Sequence, residues 1–104
     1  MPQSVFFNLD SSEMASPKEM VNLQAIADAA KANNAKLTIT GYADSATGDA
    51  AYNQTLSQRR ADTVAAALEK MGISRANMTV AGKGGVDTLQ PDSYNRRVII
   101  TMSE

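Results

Sequence analysis

Arg60 stands out among the residues able to do chemistry, because it lies in the segment NQTLSQRRADTVAAALEKMG, Asn53 to Gly72, which otherwise reads as an amphipathic helix. With Leu56 as origin and about 100° added per residue, Ala67, Arg60, Met71, Val64 and Leu68 share a stripe about 120° wide. Arg59 falls on the flank of that stripe, where its stem can run along the surface to water. Arg60 falls inside it. An arginine does not shed its proton, and a buried unpaired charge costs several kcal/mol, so a carboxylate is expected close by. The candidates are Asp44, at the end of ITGYAD, and Asp10, at the end of VFFNLD, because strand ends in parallel βα units share one edge of the sheet. Such a pair admits two readings: a plain internal salt bridge, or a site for a ligand carrying both an ammonium and a carboxylate.

The other candidates are weaker. The sequence has no histidine and no cysteine, so the usual general base, the usual zinc ligands and any disulfide are missing. Ser57 lacks a base and reads as a helix-surface or capping serine. Gly82-Lys83-Gly84-Gly85 does not have phosphate-loop spacing and reads as a flexible turn. Asp44 with Asp49 reads as a pair of turn formers rather than a metal site. Arg96 and Arg97 open a strand and alternate across it, so at most one can face the site. Tyr42, Tyr52 and Tyr94 are too scattered for a nucleic-acid stacking platform. No catalytic residue, metal or cofactor is implied, which makes an enzyme a distant third behind a binding module and an interaction domain.

Composition sets the frame for these residues. A chain of 104 residues with 43% apolar content suits one compact domain. A net charge of -1, with no run of like charges, gives no electrostatic footprint for nucleic acid or an anionic membrane surface. No apolar run approaches the roughly 20 residues that cross a bilayer, and the N-terminal residues do not begin a signal peptide.

The elements that must position the site follow from local patterns. SVFFNL from Ser4 reads as a strand, with Asn8 and Asp10 on one face beyond it. SPKE predicts a helix start, with Ser16 as cap, Pro17 in the first turn and Glu19 closing a capping box; the helix runs from about Pro17 to Ala32. Met20, Leu23, Ile26, Ala27 and Ala30 form its apolar stripe, and Asn33-Asn34 ends it. KLTITGY alternates as a second strand, with Leu37 and Ile39 inward. ADSATGDA is a loop, the long helix stops at Gly72, NMTVAGK is a third strand, GGVDTLQPDS a loop and NRRVIITM a fourth strand. The order βαβαββ predicts an α+β two-layer sandwich, a four-stranded mixed sheet with both main helices packed on one face.

On these residues the chain resembles an OmpA-like peptidoglycan-binding domain, the family of OmpA C-terminal domains, peptidoglycan-associated lipoprotein and MotB. The resemblance is carried by VFFNLD, ITGYAD, YNQTLSQRRADTVAAAL, GI at Gly72, GKG at Gly82 and NRRVII, in order over nearly the whole chain. It implies a non-catalytic domain that grips the meso-diaminopimelate of the peptidoglycan stem peptide. Asp44 and Arg60 match the main ligand contacts, Asn53 and Leu56 match pocket-lining residues, Arg96 a further contact, and Asn8 and Asp10 the variable first-strand end. Ala43 stands where many members have threonine, and the segment from Asp44 to Asn53 is one residue longer than in the enterobacterial pattern. The resemblance also implies a periplasmic domain of an outer-membrane-associated envelope protein, with residues 1–104 excised from a longer exported chain and no direct insertion into the membrane. A homodimer stays open, as does a structural or protein-interaction domain of the same fold that does not bind peptidoglycan.

Overall fold

The computed structural model describes residues 2–46, 48–86 and 92–103. Its order is β1 (Gln3–Phe6), α1 (Lys18–Asn33), β2 (Lys36–Asp44), α2 (Ala50–Lys70), β3 (Met78–Val86) and β4 (Arg97–Ser103), with short 3-10 turns at Arg75–Asn77 and Asp92–Asn95. Residues 87–91, in the middle of the expected loop GGVDTLQPDS, lie outside the described residues.

The strands form one mixed sheet in the order β1-β4-β2-β3. β4 pairs antiparallel with both β1 and β2, and β2 pairs parallel with β3. β1 and β2 therefore run the same way, and their C-terminal ends share an edge with the start of β4. Alternation fixes the inward face: Val5, Leu37, Ile39, Val98 and Ile100 are buried together with Leu23, Ile26 and Ala27 of α1 and Ala61, Val64 and Leu68 of α2. Both helices cover this face, as the pattern predicts.

α2 is seated unusually close to the sheet because glycines lie beneath it. A Cβ on Gly41 would stand 2.0 Å from the Ser57 carbonyl oxygen, and one on Gly82 2.5 Å from the Gln58 nitrogen. The register between β2 and β3 slips after Gly41 and Gly82, so that Ala43 faces Gly85 and β3 carries an extra residue there, with Gly84 at φ 78. The Gly82 to Gly85 run is thus a bulged strand rather than a flexible turn: parallel pairing to β2 continues through it to Val86.

Three local expectations need correction. α1 has no side-chain cap; the Ser16 carbonyl accepts from the Glu19 N–H at 3.1 Å, while the Glu19 carboxylate accepts from Asn22. With the chain entering the helix in this way, Glu19 is buried at 7% exposure and Met20, expected in the core stripe, is 44% exposed. β1 ends at Phe6, after which Phe7 bridges Met14 and donates its N–H to the Arg96 carbonyl and Asp10 turns at φ 53, so Asn8 and Asp10 do not share a strand face. The Asn8 and Ser11 carbonyls beyond Phe7 go to a side chain instead of a neighbouring strand.

Candidate functional site

That side chain is Arg60. Its Nε donates to the Ser11 carbonyl at 2.9 Å, Nη1 to the Tyr42 carbonyl at 3.0 Å and Nη2 to the Asn8 carbonyl at 3.1 Å. The guanidinium carbon lies 5.6 Å from the centre of the Phe7 ring, and the residue has 0% exposure. Arg60 therefore lies on the buried face, as the helical wheel requires. Its closest partners are three backbone carbonyls, not the expected carboxylate: among the described residues no ion pair within 4.0 Å joins it to Asp44 or Asp10. A planar fork of donors suits this task, because it ties the segment after β1 to the end of β2 in one plane. Burial, and after it the neighbouring charge of Arg96, pushes the guanidinium down from its ordinary value to about 10, so it stays charged at neutral pH.

Asp44 ends β2 at 3% exposure, where one carboxylate oxygen accepts from the Ala46 N–H at 3.0 Å and the other stands 3.8 Å from Nη1 of Arg96. The Arg96 side chain is 18% exposed, and its Nε is buried with no hydrogen-bond partner among the described residues. Arg97 goes the other way, over the ring of Tyr42 at 5.9 Å, so only one of the two arginines faces the site. Asn53 and Leu56, on the first turns of α2, are buried at 4% and 7% exposure, while Asn8 and Asp10 are exposed at the rim. Asp49 caps α2, accepting from the Tyr52 N–H at 2.7 Å.

The result is an edge with two guanidiniums and one buried carboxylate, so that positive charge is in excess inside the site, with the exposed Asp10 carboxylate, whose charge also acts on Arg60, at its rim. Such an edge can hold an anionic group between the arginines and a cationic one at Asp44.

Residues 6–98 match the OmpA family model. The chain belongs to the OmpA family. Outer membrane protein 40 of Porphyromonas gingivalis is 41% identical over 101 residues, covering 96% of this chain and 26% of the relative. This OmpA-like domain thus spans about a quarter of the length of that relative. Among solved structures, the peptidoglycan-associated lipoprotein of Burkholderia pseudomallei superposes with a TM-score of 0.85 at 27% identity, covering 96% of this chain and 89% of the other. The OmpA-like domain of FopA1 from Francisella tularensis gives 0.86 at 25% identity, with 98% and 71% covered. As a member of this family the domain is not an enzyme.

Two residues of this OmpA-like domain escaped the sequence reading. Ser57 is no surface or capping residue: at 0% exposure its hydroxyl donates to the Gln54 carbonyl and accepts from the Gly84 N–H, both at 2.8 Å, holding the bulge of β3 against α2. The signal was available, since Ser57 falls at about 100° on the same wheel, inside the apolar stripe. Tyr52 donates its hydroxyl to the Asp10 carboxylate and so joins the start of α2 to the segment after β1. No spacing rule connects residues 42 apart on different elements.

Proposed function

We propose that the domain binds peptidoglycan non-covalently through the meso-diaminopimelate of its stem peptide and so anchors an envelope protein to the cell wall. It is a periplasmic domain, its relatives being outer-membrane proteins and lipoproteins, and we read it as one part of a longer exported protein. No described helix is long and apolar enough to cross a membrane. The observation that carries the binding reading is the charge imbalance inside the sheet edge, where Arg60 and Arg96 have one buried carboxylate beside them, Asp44, while the Asp10 carboxylate acts on Arg60 from the exposed rim.

The free end of diaminopimelate is a zwitterion. Its ammonium goes to Asp44. Its carboxylate goes to the arginine side, accepting from the partly exposed Arg96, with the buried charge of Arg60, three of whose five N–H groups are given to carbonyls, attracting it from behind. That carboxylate also relieves the repulsion between the two cations. Asn53 and Leu56 line the inner wall, and Asn8 and Asp10 the rim. Wild-type protein should pellet with purified diaminopimelate-type cell-wall sacculi, and Asp44→Ala should stay in the supernatant. Folded wild type remaining in the supernatant would reject the reading.

A second reading is favoured by one observation, the complete burial of Arg60 with its donors on carbonyls, which serves the fold without any ligand. In that case the domain is a structural or protein-interaction module, and substituting Asp44 changes no wall association.

A further inference from the structure

A cavity of about 430 Å³ opens beside the charged edge, lined by Leu9, Asp10, Gly48 and Tyr52. Tyr52 is 42% exposed and Leu9 56% exposed. A tyrosine that open to water ordinarily samples several rotamers. Here the ring is held at both ends. Its hydroxyl is bound by the Asp10 carboxylate, and its edge rests on Gly48, which sits at φ 75 and where a Cβ would come within 2.9 Å of the ring and 3.0 Å of the Asn53 side-chain oxygen. Only glycine fits there without strain. An aromatic ring fixed in place yet left uncovered is preorganised to receive a partner, because little rotamer entropy remains to be lost on binding.

We propose that Tyr52, with Leu9 and Asp10, forms a carbohydrate subsite that takes the pyranose ring of the amino sugar attached to the stem peptide. The proposal rests on the peptidoglycan reading and names the second half of its ligand. A pyranose presents an apolar C–H face rimmed by hydroxyls, so it needs an aromatic surface beside a hydrogen-bond acceptor. Tyr52 supplies the first. Asp10 supplies the second, because an exposed carboxylate has acceptor sites beyond the one used by the tyrosine hydroxyl. Leu9 offers apolar contact for the acetamide methyl. Among the described residues Asp10 is the only charged one lining the cavity, in contrast to the two arginines and aspartate next door, which fits an uncharged sugar outside and a zwitterion inside. The two sites are continuous: the carbonyls flanking Asp10, those of Asn8 and Ser11, are bound by Arg60, and Tyr52 precedes the buried Asn53.

Titration calorimetry with two probes tests this, the bare diaminopimelate tripeptide and the same tripeptide carrying N-acetylmuramic acid. Wild type should bind the muramyl peptide roughly three- to tenfold more tightly, the scale of one aromatic contact. In Tyr52→Ala that ratio should fall to about one, and in Tyr52→Phe most of it should survive. NMR of the wild-type complex should show the sugar ring protons shifted upfield by the tyrosine ring current. A ratio of one in wild type, or a ratio that persists in folded Tyr52→Ala, overturns the subsite. Wild type that binds neither probe overturns the peptidoglycan reading itself, and the subsite with it.

Discussion

Replacing Arg60 by alanine tests whether the buried guanidinium holds the site together. It removes three charge-assisted hydrogen bonds, to the carbonyls of Asn8, Ser11 and Tyr42, and a cation–π contact with Phe7. Bonds from a charged donor contribute about 1.5–3 kcal/mol each, so the gross loss is of order 5–9 kcal/mol. Against this, the variant no longer buries a charge. Burial and the Arg96 charge, offset in part by Asp10 and Asp44, lower the guanidinium to about 10, a net cost of order 3 kcal/mol that the substitution returns. The expected net destabilisation is about 2–6 kcal/mol, a fall in melting temperature of roughly 10–30 °C for a domain of this size. Arg60→Lys should recover less than half of it, because an ammonium cannot reach three carbonyls arranged around a planar fork. Thermal unfolding followed by circular dichroism at pH 7 measures both. A melting temperature for Arg60→Ala within about 3 °C of wild type would refute the claim that this residue organises the edge.

Gly41→Ala should be the most damaging small substitution in the sheet, since its Cβ would meet the Ser57 carbonyl oxygen at 2.0 Å; we expect a loss of about 3 kcal/mol or more by denaturant unfolding, or no soluble protein. Ser57→Ala leaves the Gly84 N–H without its acceptor and should cost about 1–2 kcal/mol in the same assay. The hydrogen bond to Asp10, then desolvation, then the Asp10 charge raise the Tyr52 phenol above its ordinary 10.0. Its stabilising contribution is therefore fully present below pH 10 and lost as the pH rises through the higher folded value. A spectrophotometric titration, with Tyr52→Phe subtracted, should place the midpoint above 10 in wild type and lower in Asp10→Asn.

The sheet, both helices and the burial of Arg60 were legible in the sequence because each rests on a period: alternation for Leu37 and Ile39, and about 100° per residue for α2. Two failures on the same residues show where periodicity ends. A wheel tells which face Arg60 occupies, but not that backbone carbonyls beyond β1 would be its partners, because those carbonyls have no signature in residue type. Likewise the run Gly82 to Gly85 looks like a turn by composition; it is a strand because α2 presses onto Gly41 and Gly82, a close approach set by tertiary packing. Asp44 and Arg96 meet at the sheet edge, and Asn53 packs with Ser45 against Gly85 beside it, whereas Leu56 is buried with no contact among the described residues that ties it to that edge. Tyr52 was read only as one of three scattered tyrosines, and its bond to Asp10 depends on a left-handed turn at Asp10 that no local pattern announces.

The central claim is that an excess of arginine over buried carboxylate at the sheet edge selects a zwitterionic side chain. Calorimetry with two stem peptides differing only in diaminopimelate against lysine tests it directly, because lysine keeps the ammonium for Asp44 and removes the carboxylate from Arg60 and Arg96. Loss of one charge-assisted contact, about 1.5–3 kcal/mol, predicts a roughly ten- to hundredfold preference for diaminopimelate. Equal affinity for the two peptides would contradict the account.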